Sequence, residues 1–161
     1  MADAFNRVLA VAPQAQLILV GYFNRPIEAW MSHPEAVVRS GPVKYAEIHT
    51  YLSACDVCWV PLCDSGANRG RWPFKLNDYM TVARPVISTA VSDLAEVIPQ
   101  YGLGVVTPID ATRFAEETLA LLADNARARS IGQAARHAAE TVFNWEKLAN
   151  EMEDFYQSRL R

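Results

Sequence analysis

Short apolar runs alternate with stretches of helical period along residues 4 to 106. Ala4, Phe5, Val8 and Leu9 share one helical face and predict a helix over residues 4 to 12, which Pro13 ends. Leu17-Ile18-Leu19-Val20-Gly21 is a continuous apolar run of strand length, the pattern of a strand buried in a parallel sheet. Residues 22 to 34 carry Pro26, Trp30 and Pro34 and predict a loop with a short helix. Ala36-Val37-Val38-Arg39 predicts a second strand, closed by Gly41-Pro42. Tyr45, Ile48, Leu52 and Cys55 recur at helical spacing, so residues 44 to 55 form an amphipathic helix. Val57-Cys58-Trp59-Val60 is the third strand. A long polar loop, Cys63 to Trp72, follows, and Pro73 opens a helix that continues over residues 74 to 83. Pro85 to Thr89 is the fourth strand, and Ser92 or Asp93 caps a short helix reaching about Ile98. Gly104-Val105-Val106 is the fifth strand.

Beyond Asp110 the pattern is helical only. Phe114, Thr118, Leu121 and Leu122 mark one helix, and residues 126 to 142 a second. Trp145, Leu148, Met152 and Phe155 mark a last one, capped by Asn144, and their spacing predicts packing into the core. Alternating strands and helices predict the α/β class: one domain over residues 1 to 161, a Rossmann-like doubly wound parallel sheet with C-terminal helices.

Composition narrows the function. The 161 residues are 51% hydrophobic and 20% charged, as in ordinary globular proteins. A net charge of -3 gives no electrostatic basis for nucleic-acid partners. No apolar run approaches the roughly 20 residues that span a bilayer, and Met1 to Phe5 does not read as a signal peptide. The expected location is cytoplasmic, with peripheral attachment at the inner face of the membrane as a variant. Cys55 and Cys58 make a C-x-x-C pattern, but at a helix end running into an apolar strand, and Cys63 leaves the count odd. His33, His49 and His137 are scattered and supply no zinc cluster. The expectation for all three cysteines is buried structural thiols.

Ligands of open parallel sheets bind beyond the carboxyl ends of the strands. The loop after Val60-Pro61 delivers Asn68, Arg69 and Arg71 there, then a helix start with Lys75 in its first turn. Two guanidinium groups and an ammonium beside unpaired backbone N–H groups suit a phosphate or diphosphate. Lys75 and Asp78 are three apart on one helix face, a cation for phosphate beside a carboxylate for hydroxyls. The same spacing also describes a solvated surface pair worth under ~1 kcal/mol. Ser92 to Glu96 offers either a second helix N-terminus to a ligand or an ordinary cap. No G-x-G-x-x-G, Walker A or H-E-x-x-H pattern occurs.

Several segments, in order, resemble group-1 (family-4-like) glycosyltransferases. Tyr51 to Val57 is similar to their "yl..aDv", and Trp72 to Met80 to "P-x-K-x-x-E-Y". Arg84 to Thr89 is similar to "G-[KR]-P-V-[IV]-[AS]-T", Asp93 to Ile98 to "G-x-x-E-x-I", and Phe143-Asn144-Trp145 to "F-[ST]-W". The resemblance implies the C-terminal, donor-binding domain of a GT-B enzyme, with an N-terminal acceptor domain facing it across a cleft. It implies sugar transfer from a nucleoside diphosphate sugar to a hydroxyl of a glycan, lipid or small molecule, with the anomeric configuration retained and no metal or other cofactor. The mapping puts Lys75 on the diphosphate side, and with Arg71 of the basic loop it makes the candidate catalytic pair of cations that stabilise the leaving diphosphate. Asp78 contacts the ribose, Gly41 and Val43 the base through backbone groups, and Ser92 and Glu96 the sugar and phosphates. Asn68 and Arg69 complete the donor-binding set.

The sequence also departs from the family. Gly70 stands where the first carboxylate of an E-x7-E pair is usual, and the second is Asp78. Ala83 and Ser92 stand where the family carries Gly. The chain begins at the helix that follows the family's first strand, a central one in the 3-2-1-4-5-6 order. Leaving that strand out predicts a gap of roughly 10 Å between its neighbours and unpaired edges that favour self-association. It also removes a basic loop, so little activity is expected of these residues alone. Two other classes stay open at this point: a nucleotide-sugar 2-epimerase, which needs a cleft His, and a non-catalytic Rossmann-like interaction domain.

Overall fold

The computed structural model describes residues 1–23 and 25–160; Asn24, in the expected loop, and Arg161 lie outside the described residues. The helices are α1 (Ala2–Val11), α2 (Tyr45–Ser53), α3 (Gly66–Arg69), α4 (Lys75–Thr81), α5 (Leu94–Tyr101), α6 (Ala111–Ala123), α7 (Asn125–Thr141) and α8 (Trp145–Arg159). The strands are β1 (Leu17–Val20), β2 (Val37–Gly41), β3 (Cys58–Val60), β4 (Val86–Thr89) and β5 (Gly104–Thr107). Two 3-10 turns, Ile27–Trp30 and Pro34–Ala36, replace the single short helix expected between β1 and β2. Arg39 braces that loop by pairing with Glu28 and donating to the Arg25 carbonyl at 2.8 Å.

All strand pairings within the two sheets are parallel, as the apolar runs predict, but the sheet is broken. β1 pairs with β2, and β3, β4 and β5 pair in that order; β1 and β3 share no ladder. The expected gap is therefore present, between the two unpaired edges. The slot there belongs to a cavity of about 960 Å³ bordered by Leu17 to Val20 on one side and Cys58 and Trp59 on the other.

Side chains bridge what the backbone does not. One core cluster joins Leu76, Met80, Val86, Leu94, Ile98 and Leu103 under α7. A second joins Phe5, Val8, Leu9 and Leu19 to Ala115 of α6. A third, of Ala4, Ile87, Phe114 and Leu121, links the two. Trp59 stands at the junction, edge-on to Phe5 at 6.0 Å and to Phe114 at 5.0 Å between ring centroids.

Two expectations fail at the C-terminal half. α5 runs past Ile98 through Pro99, because a proline one turn from the end forfeits a single backbone bond and Gly102, at φ +65°, closes the helix. α8 forms with the expected Asn144 cap but buries no residue: Trp145 is 68% exposed, Met152 60% and Phe155 55%. Its apolar period is real, yet among the described residues nothing covers it. The cysteines also divide: Cys58 is buried, Cys55 half-buried and Cys63 exposed. Cys63 sits in the polar loop beyond β3, where the Asn68 amide donates to its sulfur at 3.2 Å and no apolar packing encloses it.

Candidate donor-binding site

Within each half-sheet the parallel strands bring their carboxyl ends to one edge, and the candidate residues lie at or beyond the ends of β2, β3 and β4. Gly41 is the last residue of β2 and Val43 follows it, the loop from Cys63 follows β3, and Ser92 and Glu96 follow β4. Buried hydroxyls fix the middle loop. Thr89 Oγ1 donates to the Leu62 carbonyl at 2.6 Å and accepts from the Leu62 N–H at 2.9 Å. Ser88 Oγ donates to the Val60 carbonyl at 3.2 Å. β4 thus holds both backbone groups of the residue from which the loop departs.

The loop is less irregular than its composition suggests. Ser65 caps the single turn α3 by accepting from the Asn68 N–H at 3.3 Å. The Asn68 amide donates to the Cys63 carbonyl at 2.8 Å and closes the loop on itself. Trp72 anchors its far end, donating to Asn77 at 3.0 Å and stacking on Phe143 at 5.4 Å. Phe143 also meets Tyr101 edge-on at 5.3 Å, so the Phe143-Asn144-Trp145 segment holds the loop as well as starting α8.

Asn68, Arg71, Lys75 and Asp78 border the open end of the cavity together, with Tyr79 and Cys63 beside them. Among the described residues, ion pairs leave Arg71 and Lys75 without a carboxylate partner. Surrounding protein atoms, and then the Arg71 charge, hold the Lys75 pKa below the usual lysine value. Two neighbouring cations without a counter-ion make a place for an anion. Arg69 differs: its guanidinium pairs with Asp64, Nη2 to Oδ2 at 2.8 Å, and it stays outside the cavity lining. Gly41, Val43, Ser92 and Glu96 also stay outside that lining.

The helix start contributes less than its sequence implies. α4 begins at Lys75, two residues after Pro73, and has only 7 residues. The N–H groups of Leu76 and Asn77 already donate to the Pro73 and Phe74 carbonyls at 2.9 and 3.0 Å. Side-chain cations therefore outweigh helix N–H groups here.

One residue of the cluster was not singled out by the sequence pattern. Tyr45, at the first position of α2, donates from its hydroxyl to Asp78 Oδ1 at 3.0 Å. The Asp78 carboxylate raises the Tyr45 pKa in turn, chiefly through that hydrogen bond. The side chain is 68% exposed, so the apolar face to which its spacing assigned it carries a polar contact. Among the described residues no three of His, Cys, Asp and Glu converge as metal ligands.

No curated protein sequence matches this chain. Solved structures do. Sucrose-phosphate synthase from Thermosynechococcus elongatus superposes with a TM-score of 0.82 at 27% identity, over 99% of this chain and 42% of that one. HepE of Anabaena, in complex with UDP and glucose, gives 0.77 at 18% identity, over 97% of this chain and 44% of that one. The C-terminal domain of a group 1 glycosyl transferase from Francisella tularensis gives 0.69 at 17% identity, over 89% of this chain and 79% of that one. The chain thus spans under half of the first two relatives and most of an isolated C-terminal domain. The family model for group 1 glycosyl transferases matches residues 1–124, and the chain belongs to that family.

Proposed function

We propose that these residues form the donor-binding half of an enzyme that transfers a sugar from a nucleoside diphosphate sugar to an acceptor hydroxyl. The observation that carries this reading is the convergence of unpaired Arg71 and Lys75 with Asp78 at the carboxyl edge of β3. In the reaction, Arg71 and Lys75 take up the negative charge that gathers on the diphosphate as the glycosidic bond breaks. Asp78, held by Tyr45, accepts hydrogen bonds from the ribose hydroxyls. In this reading Gly41, which ends β2, and Val43 contact the base through backbone groups, and Ser92 and Glu96, beyond β4, contact the sugar. Asn68 and Arg69 shape the loop that carries Arg71, Arg69 through its pair with Asp64.

A metal-free mechanism suits a site where Arg71 and Lys75 supply the positive charge beside Asp78, and retention of configuration and a hexosyl donor are the outcomes that the family resemblance favours. The acceptor and any base that activates it belong to an N-terminal domain in the length these residues do not span. Among the described residues no helix is long and apolar enough to cross a membrane, which suits a cytoplasmic enzyme or one attached at the inner membrane face.

Calorimetry with UDP, GDP and ADP, and then with the corresponding nucleotide sugars, tests the reading. One diphosphate is expected to bind and its monophosphate to bind at least tenfold more weakly, since a lost charge-assisted contact costs about 1.5–3 kcal/mol. Arg71→Ala or Lys75→Ala should remove that difference while the fold persists. Equal binding of mono- and diphosphate, or unchanged binding by a folded double variant, would instead point to an interaction domain without a donor site.

A further inference from the structure

Cys55 and Cys58 lie where α2 turns into β3, with Asp56 and Val57 forming the bend between them. Both thiols border the slot between the half-sheets. As a thiol, Cys55 donates to the Tyr51 carbonyl at 3.4 Å. Cys58 is the neighbour that most favours the Cys55 thiolate. The Arg84 charge acts on both thiols. Its Nη2 donates to the Ser53 carbonyl at 2.5 Å, while its Nε is buried without a partner among the described residues. A buried guanidinium N–H with no acceptor, next to two thiols, favours negative charge on sulfur. Asp56, exposed, opposes it, and burial holds nearby Tyr79 as a neutral phenol.

We propose that Cys55 and Cys58 form a thiol–disulfide site that reacts with small disulfides of the glutathione type, Cys55 attacking and Cys58 resolving. The Cys55 thiolate attacks one sulfur of the disulfide RSSR, forming a mixed disulfide and expelling RS⁻, which takes a proton from water. Cys58 then gives its proton to solvent, and its thiolate attacks the Cys55 sulfur. The second RS⁻ leaves and the Cys55–Cys58 disulfide forms. The two protein thiols lose two electrons, and RSSR gains them as two thiols.

The division of roles follows from access: Cys55 is half-buried and Cys58 buried, so an incoming disulfide meets Cys55 first. The Cys58 hydrogen bond, aided by Arg84, brings the Cys55 thiol down to about 7 against the burial that opposes it. The same bond, together with burial, pushes Cys58 up, so it waits as a thiol. Once Cys55 is capped it no longer draws on the Cys58 proton, while Arg84 still attracts a thiolate. The first step thereby prepares the second. Nothing in this site depends on the donor-binding reading.

The test uses the 161-residue chain with Cys63→Ser, which removes the exposed third thiol. Incubated with oxidised glutathione near neutral pH, it should yield a product two hydrogens lighter, with Cys55 linked to Cys58 by peptide mapping and restored by dithiothreitol. A further Cys58→Ser change should halt the reaction at a glutathione adduct on Cys55. In the chain with all its cysteines, iodoacetamide should label Cys55 about tenfold faster than after unfolding in urea, because its thiolate fraction falls on unfolding. Arg84→Gln should slow that labelling and Asp56→Asn should speed it. A Cys55 no faster folded than unfolded, or oxidation without the Cys55–Cys58 link, overturns the proposal. The labelling rate needs no variant, so it decides the case even where a substitution weakens the fold.

Discussion

Ala83 and Ser92 hold φ angles of +55° and +60°, a region that costs an L-residue roughly 1–2 kcal/mol and glycine almost nothing. They are the two positions where the sequence departs from glycine in the family it resembles, so the departure has a backbone consequence. Each residue pays in strain for the side chain it keeps. Ala83→Gly should therefore raise stability by about 0.5–1 kcal/mol, the relieved strain less the extra freedom of glycine in the unfolded chain. Ser92→Gly should gain less, because the Ser92 hydroxyl accepts, at 3.5 Å, from the Leu94 N–H. Urea denaturation checks both, and a loss of stability in Ala83→Gly would refute the strain argument. The converse holds at Gly132, where a Cβ would stand 2.1 Å from the Ala83 carbonyl oxygen. Any side chain there would push α7 off the turn that Ala83 makes.

At the scale of elements, β4 does most to place the loop that carries Arg71 toward Lys75 and Asp78. All four of its residues are buried, and it ties the β3 loop through Ser88 and Thr89. Thr89→Val keeps the shape but strands the Leu62 N–H and carbonyl. It should cost about 1–3 kcal/mol and weaken diphosphate binding, because the segment carrying Arg71 loses its anchor. A loss under ~0.5 kcal/mol by denaturation, with binding unchanged, would place the anchor elsewhere. The strands and most helices were legible in the sequence because a buried run such as Leu17 to Val20 carries its environment in its composition. Lys75 and Asp78 were legible because the helix that holds both is local. Tyr45 was not, since its contact with Asp78 spans 33 residues and two helices. Nor was the fate of α8, because a periodic apolar face states that something covers it and not what. Trp72 and Phe143 illustrate the same limit: each is an aromatic on a polar background until the fold stacks them.

The whole molecule is two half-sheets held together by side chains, so its stability should not be uniform. Within each half, parallel ladders and a core cluster act together. Between them stand α1 against α6, and Trp59 between Phe5 and Phe114. Breaking this seam exposes side chains and severs no strand ladder. Opening the β1–β2 half should therefore require less free energy than unfolding the β3–β4–β5 half. Native-state hydrogen exchange with rising denaturant reads this directly. Amides of Leu17–Val20 and Val37–Gly41 should exchange through one shared opening, while those of Val86–Thr89 wait for global unfolding. Trp59→Ala should lower the first opening by about 3 kcal/mol, the usual cost of deleting a packed aromatic, and the second by much less. α8, a 15-residue helix with no buried residue, should show little protection, since isolated helices of that length are marginal in water. One exchange isotherm shared by all five strands would mean that the side-chain seam transmits as much cooperativity as a continuous ladder.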